Sequence, residues 1–137
     1  MRMSRLEFEA HQAKMSGYQA PVVETPYVLA ANFVLKKNAD EEKLNKTEKA
    51  WLEILRARRY PWIGIQCITL KLADDTRYTC DLWTLTAEGR LIGWETKGHR
   101  WAKNMIKLKV AARMFPFIEF ILVFKFKGGW HEEPLKI

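Results

Sequence analysis

Asp81, Glu95 and Lys97 have the types and spacing to do chemistry together. They stand on two expected strands of a hairpin, Tyr78–Thr84 and Leu91–Thr96, joined by the loop Ala87-Glu88-Gly89. A loop of that length takes a type I turn and then a left-handed residue, and Gly89 stands where that residue falls. Closing the loop this way pairs Thr86 with Arg90 and Leu85 with Leu91, and it brings Asp81 opposite Glu95. Directly opposed side chains share a face, with β-carbons about 5 Å apart. Lys97 lies two residues beyond Glu95, so strand period places it on that face too. Two facing carboxylates repel unless a cation lies between them, and hard oxygen ligands suit Mg²⁺ or Mn²⁺. The alternative is a surface cross-strand ion cluster, which adds little to stability. An opposed Asp–Glu pair has no structural merit of its own, and that favours the cation.

The elements that must hold these residues read as α-β-β-β-α-β. A first helix starts at Asn45 or Thr47 and ends near Arg59. Asn45 with Glu48 makes a capping-box pattern, and Ala50, Trp51, Ile54 and Leu55 form one apolar stripe. A strand over Ile63–Leu72 follows, with Ala73-Asp74-Asp75-Thr76 turning into the hairpin. A second helix spans about Ala102 to Met114. A fourth strand, Glu119–Phe126, is apolar almost throughout and is expected to be central. Gly128-Gly129 breaks it, leaving a tail. A helical crossover into the fourth strand calls for parallel pairing. The expected fold class is therefore α/β, a mixed four-stranded sheet flanked by helices. Trp94, opposite in sense to Glu95, and Trp51, on the helical stripe, are expected in the core, while Trp83 shares the face of Asp81. Residues 1–44 show no clear period. Leu6–Met15 reads as a short helix, Tyr27–Leu35 as a strand and Asn38–Asn45 as a polar connection. We expect an extension or arm over 1–44, ordered by a partner subunit, and a domain over 45–137.

The acid on one strand and Glu-x-Lys on the next resemble the PD-(D/E)XK nuclease superfamily. The pattern stands here as Tyr78-Thr79-Cys80-Asp81 and Glu95-Thr96-Lys97-Gly98. This short form is similar to small phage and prophage endonucleases, including Holliday-junction-resolvase-like ones, with Cys80 where the family has proline. The resemblance covers about Asn45 to Phe126. It implies a restriction-endonuclease-like αβββαβ core and Mg²⁺- or Mn²⁺-dependent hydrolysis of DNA phosphodiester bonds. Asp81, Glu95 and the Thr96 carbonyl would hold the metal, and Lys97 would orient or deprotonate water. Glu48 matches a first-helix Glu that reaches the metal, with Glu53 the weaker match; the other reading of Glu48 is the cap alone. Lys107 matches a basic residue near the scissile phosphate. Lys103 shares its face, and both could equally be solvated lysines. His99 reads as a rim residue rather than a catalytic one.

Composition and charge agree with a nucleic-acid partner. The chain has 137 residues, 48% of them hydrophobic, with six Trp, which bounds it to one folded domain. Residues 1–44 carry six basic and six acidic side chains, so the whole net charge of +7 falls on residues 45–137. Lys97, Arg100, Lys103, Lys107, Lys109 and Arg113 form a stretch with no acid, suited to a polyanion. Arg100 and Trp101 would lie against a DNA backbone or an unstacked base. Cys67 and Cys80 make neither a disulfide framework nor metal-site spacing, and we expect two reduced, buried thiols. No apolar run suggests a membrane span, and no signal core follows Met1, so the expected location is cytoplasmic, in a host cell if phage-encoded. Two sites on two strands would call for a homodimer. The competing readings are a binding module on the same fold without activity, which would not respond to Mg²⁺, and a small interaction protein with an acidic partner.

Overall fold

Asn45 accepts a hydrogen bond from the Glu48 amide at 2.8 Å, and the Glu48 carboxylate accepts one from the Asn45 amide at 3.2 Å. This capping box opens the first helix, α1 (Lys46–Ala57), whose spacing puts Glu48, Trp51, Leu52 and Leu55 on one buried face. A computed structural model describes residues 32–96 and 101–135, residues 101–104 by their backbone. The expected helix over Leu6–Met15 lies outside these, as do Lys97, Gly98, His99 and Arg100. So do the side chains of Trp101 and Lys103.

The strands are β1 (Phe33–Leu35), β2 (Trp62–Ile65), β3 (Ile68–Ala73), β4 (Thr76–Tyr78), β5 (Leu82–Leu85), β6 (Leu91–Thr96), β7 (Ile118–Phe126) and β8 (Gly129–Pro134). The second helix, α2, runs Trp101–Met114. A five-stranded mixed sheet has the order β2-β5-β6-β7-β8, and a three-stranded antiparallel sheet the order β1-β3-β4. Pairing of β6 with β7 is parallel, as the helical crossover requires. The chain is thus α/β, with β7 interior to its sheet.

The expectation of a single four-stranded sheet is corrected in three places. The expected strand over Ile63–Leu72 breaks into β2 and β3 at Gln66, whose φ is +45°. The expected strand Tyr78–Thr84 breaks into β4 and β5 around Thr79–Asp81. Both halves of this hairpin turn at the same level, so its far end leaves the large sheet and joins β1. The expected tail is β8, paired antiparallel with β7 from Ile121↔Pro134 to Phe126↔Gly129.

The core lies in two layers, one on each face of the large sheet. Trp51, Leu52 and Leu55 of α1 pack with Leu82, Ile92, Trp94 and Val123. Leu108, Ala111, Ala112 and Phe115 line α2 at helical spacing and pack with Trp83, Phe120 and Leu122. The small sheet closes this second layer with Ile68, Leu70 and Tyr78. Trp51 and Trp94 are core residues as expected, at 0% and 1% exposure. Residues 33–44 are packed onto the rest: Leu44 is buried among the α1 layer, and the Lys36 and Ala39 amides donate to the Cys67 and Ile65 carbonyls. Among the described residues no helix is long and apolar enough to cross a membrane.

Candidate active site

The hairpin closes as its sequence dictates. The Gly89 amide donates to the Thr86 carbonyl and the Thr86 amide to the Arg90 carbonyl, both at 2.9 Å. Gly89 has φ +82°, a conformation that glycine adopts without steric cost. Register then runs Leu85↔Leu91, Trp83↔Gly93 and Leu82↔Trp94. The ladder ends there, and the next residue on each side is Asp81 and Glu95. On the other side, Ile65↔Leu82 continues to Gln66, whose amide donates to the Asp81 carbonyl at 2.9 Å. Asp81 is therefore held between the β2–β3 bend and Glu95, at the end of the large sheet. The thiol of Cys80 and the ring of Phe120 leave no room for a side chain at Gly93, where an added Cβ would lie 3.0 and 2.9 Å from them. That close approach draws the Cys80–Asp81 segment against β6.

Glu48 arrives from the start of α1 and hydrogen-bonds Asp81. It is 8% exposed, and Asn45 also donates to it through its side-chain amide at 2.6 Å. The cap reading of Glu48 is borne out, and the same carboxyl lies beside Asp81. Burial, and then the charge of Asp81, push its pKa from 4.5 to about 7. Burial raises Asp81 as well, opposed by hydrogen bonds from Gln66 and Glu48. Both carboxyls are thus held above the ordinary carboxylate range, Glu48 by burial and by the charge of Asp81, and Asp81 by burial.

Glu95 is 5% exposed and accepts a 2.6 Å hydrogen bond from the Tyr78 hydroxyl. Tyr78 also lies 3.1 Å from the Cys80 thiol, and burial drives both groups' pKa values up. Cys67 and Cys80 are free and buried, as expected. Neither Tyr78 nor Gln66 was expected at the site. A straight strand points Tyr78 to the face opposite Asp81. The bend at Thr79–Asp81 turns it back over β6. Gln66 carried a fainter signal, a polar residue inside an apolar run. It donates from its side chain to Asp81 Oδ1 at 3.3 Å, and its positive φ is a strain of the kind that collects at functional sites.

Among the described residues no three His, Cys, Asp or Glu side chains form one ready ligand group. The expected set needs only two carboxylates and the Thr96 carbonyl. Asp81 directly precedes β5, Glu95 directly follows Trp94, the last residue registered with β5, and Thr96 follows Glu95 at the end of β6. Their donors are all oxygen, which fits a hard divalent cation. Lys107 and Lys109 are exposed on α2, and no described contact joins them to the carboxylates. Glu53 is exposed and bonded to Arg56 at 2.7 Å, so it takes no part.

Replacing Tyr78 by Phe keeps the ring against Phe120, 6.3 Å away, and deletes the donor to Glu95. Removing such a supporting group costs roughly 10- to 100-fold in metal affinity or activity. If Glu95 holds a divalent cation, calorimetric titration of Mn²⁺ should show that loss for Tyr78→Phe, and unchanged affinity would free Glu95 of the role. Compared with known proteins, the chain matches no family model, no curated protein and no solved structure.

Proposed function

We propose that this chain is a metal-dependent endodeoxyribonuclease with a restriction-endonuclease-like αβββαβ core, selective for branched DNA. The observation that carries this reading is that the β5–β6 ladder ends at Leu82↔Trp94, with Asp81 and Glu95 the next residue on each side, and Glu48 beside Asp81. Burial of so many carboxylates destabilises a fold unless a cation or proton offsets their charge. The positive excess of +7 favours a polyanionic substrate.

Asp81, Glu95 and the Thr96 carbonyl would hold Mg²⁺ or Mn²⁺. When bound, the cation acidifies water and neutralises charge on the phosphate. Glu48, beside Asp81, would add to the negative charge there once its proton has left. Tyr78 holds Glu95 in one orientation, and Gln66 and Glu48 do the same for Asp81. Lys97, next after Thr96, would orient the attacking water and stabilise charge developing on phosphate. Lys107 and Lys109, exposed on α2, would meet DNA phosphates, and Arg100, Trp101 and Lys103 are the further candidates in the sequence. A homodimer would cut two strands of a junction in pairs.

Lys107→Ala should weaken DNA binding severalfold and lower the salt dependence by about one ion, whatever the sequence bound. Equal affinity and an equal salt slope would remove α2 from the DNA path. The function itself is tested on a labelled panel of four-way junction, flap, nicked duplex, plain duplex and single strand, in Mg²⁺, Mn²⁺ or EDTA. Metal-dependent cutting confined to branched DNA supports the reading. Cutting of every duplex alike removes the branch selectivity. Tight binding without cutting in any metal leaves a binding module.

A further inference from the structure

Strand β7 runs on past the site. Thr96, the last residue of β6, is level with Val123, and β7 continues through Phe126. At about 3.3 Å per residue the hairpin tip stands roughly 10 Å beyond the end of β6. Leu122 is level with Glu95 and shares its face. Two-residue period puts Phe124 and Phe126 on that face as well. His131, opposite Phe124 on β8, stacks on it at 5.3 Å and meets Phe126 edge-on at 5.8 Å. Phe126 is nonetheless 55% exposed.

The tip is rigidly built. Lys127 and Gly128 have φ of +50° and +77°, both positive, as a two-residue type I′ loop requires. Lys127 lies 5.4 Å from the Phe126 ring centre, and Lys125 lies 4.9 Å from that of Trp130 on the other face. The acids of β8 are withdrawn from it. Glu132 is bound by both terminal nitrogens of Arg58, at 2.6 and 2.8 Å, and Glu133 stands back, level with Leu122. An exposed aromatic ring among cations, on the site's own face, suits a nucleic acid whose bases are unpaired, because a ring stacks on any base while lysines meet its phosphates.

We propose that the β7–β8 hairpin is a stacking ledge for an unpaired nucleobase of single-stranded or branched nucleic acid, with Phe126 as its platform and Lys127 as its phosphate contact. This rests on the nuclease reading and adds the source of its substrate preference. The strand leaving the acidic pair would pass over Phe126, and a continuous duplex has no free base to offer it.

The test is fluorescence anisotropy in EDTA, where nothing is cut, using a labelled duplex with splayed single-stranded ends and a blunt duplex. Wild type, Phe126→Ala and Phe126→Trp are compared. Phe126→Ala should weaken binding of the splayed substrate roughly tenfold and leave the blunt duplex within about twofold, and Phe126→Trp should restore it. Unchanged binding of the splayed substrate by Phe126→Ala overturns the ledge, even where wild type cuts DNA. A wild type that binds splayed DNA through Phe126 but cuts nothing in Mg²⁺ or Mn²⁺ sinks the nuclease reading and keeps the ledge. A wild type that binds neither DNA sinks both and gives the aromatic face to a protein partner.

Discussion

Asp81→Asn and Glu95→Gln should each lower the proposed cleavage by roughly 10³-fold, while DNA binding should stay equal or tighten. The loss follows from what the two carboxylates would hold. A divalent cation contributes several kcal/mol to stabilising a phosphoryl transition state, and about 4 kcal/mol is a factor of 10³. An amide keeps the shape and one acceptor oxygen, so Glu95→Gln can still accept from Tyr78, and Asp81→Asn from Gln66. The fold is therefore retained. Removing a negative charge beside phosphate lessens repulsion, which is why binding does not fall. Single-turnover cleavage and anisotropy on the same preparations separate the two effects. Full cleavage by either variant removes the acidic pair from the chemistry.

Stability in EDTA should fall as pH rises from 5 to 8, and Glu48→Gln should abolish most of that fall. Glu48 titrates near 4.5 when unfolded and near 7 when folded, because it is buried beside Asp81. Below 4.5 both states hold the proton, and its stabilising contribution is complete. Between those values only the folded state holds it, so stability is lost as pH climbs through 7. The total is on the order of 2 kcal/mol, and the raised pKa of Asp81 acts in the same direction. A glutamine carries no ionisable proton and resembles the protonated acid at every pH. Thermal unfolding of both proteins across this range reads the difference directly. Parallel curves for wild type and Glu48→Gln would mean that the carboxyls are not coupled.

The parts of the site legible in the sequence are those fixed by local rules. Gly89 sets the loop, the loop sets the register, and the register runs as far as Leu82↔Trp94, one residue short of Asp81 and Glu95. The Asn45–Glu48 capping box starts α1 and so delivers Glu48. What escaped reading depends on tertiary bending. Cys67 and Ile68 are consecutive and both buried, which no straight strand allows on one face. The reason is the positive φ at Gln66, in a residue type that does not advertise it. The same fold of the hairpin carries Tyr78 to Glu95. Strand β8 was hidden by its polarity: Gly129-Trp130-His131-Glu132-Glu133-Pro134 has the charges and proline of an edge strand, which read equally as a tail. Leu44 looked like one apolar residue in a polar connection, yet it is 3% exposed against the α1 layer.

Calorimetric titration of Mn²⁺ into wild-type protein and Asp81→Asn at pH 8 tests the central claim most directly, because it asks for the cation without needing the substrate. Saturable binding by wild type that Asp81→Asn loses is the result expected of a site built from Asp81 and Glu95. Equal binding by the two proteins would contradict it and place the cation elsewhere.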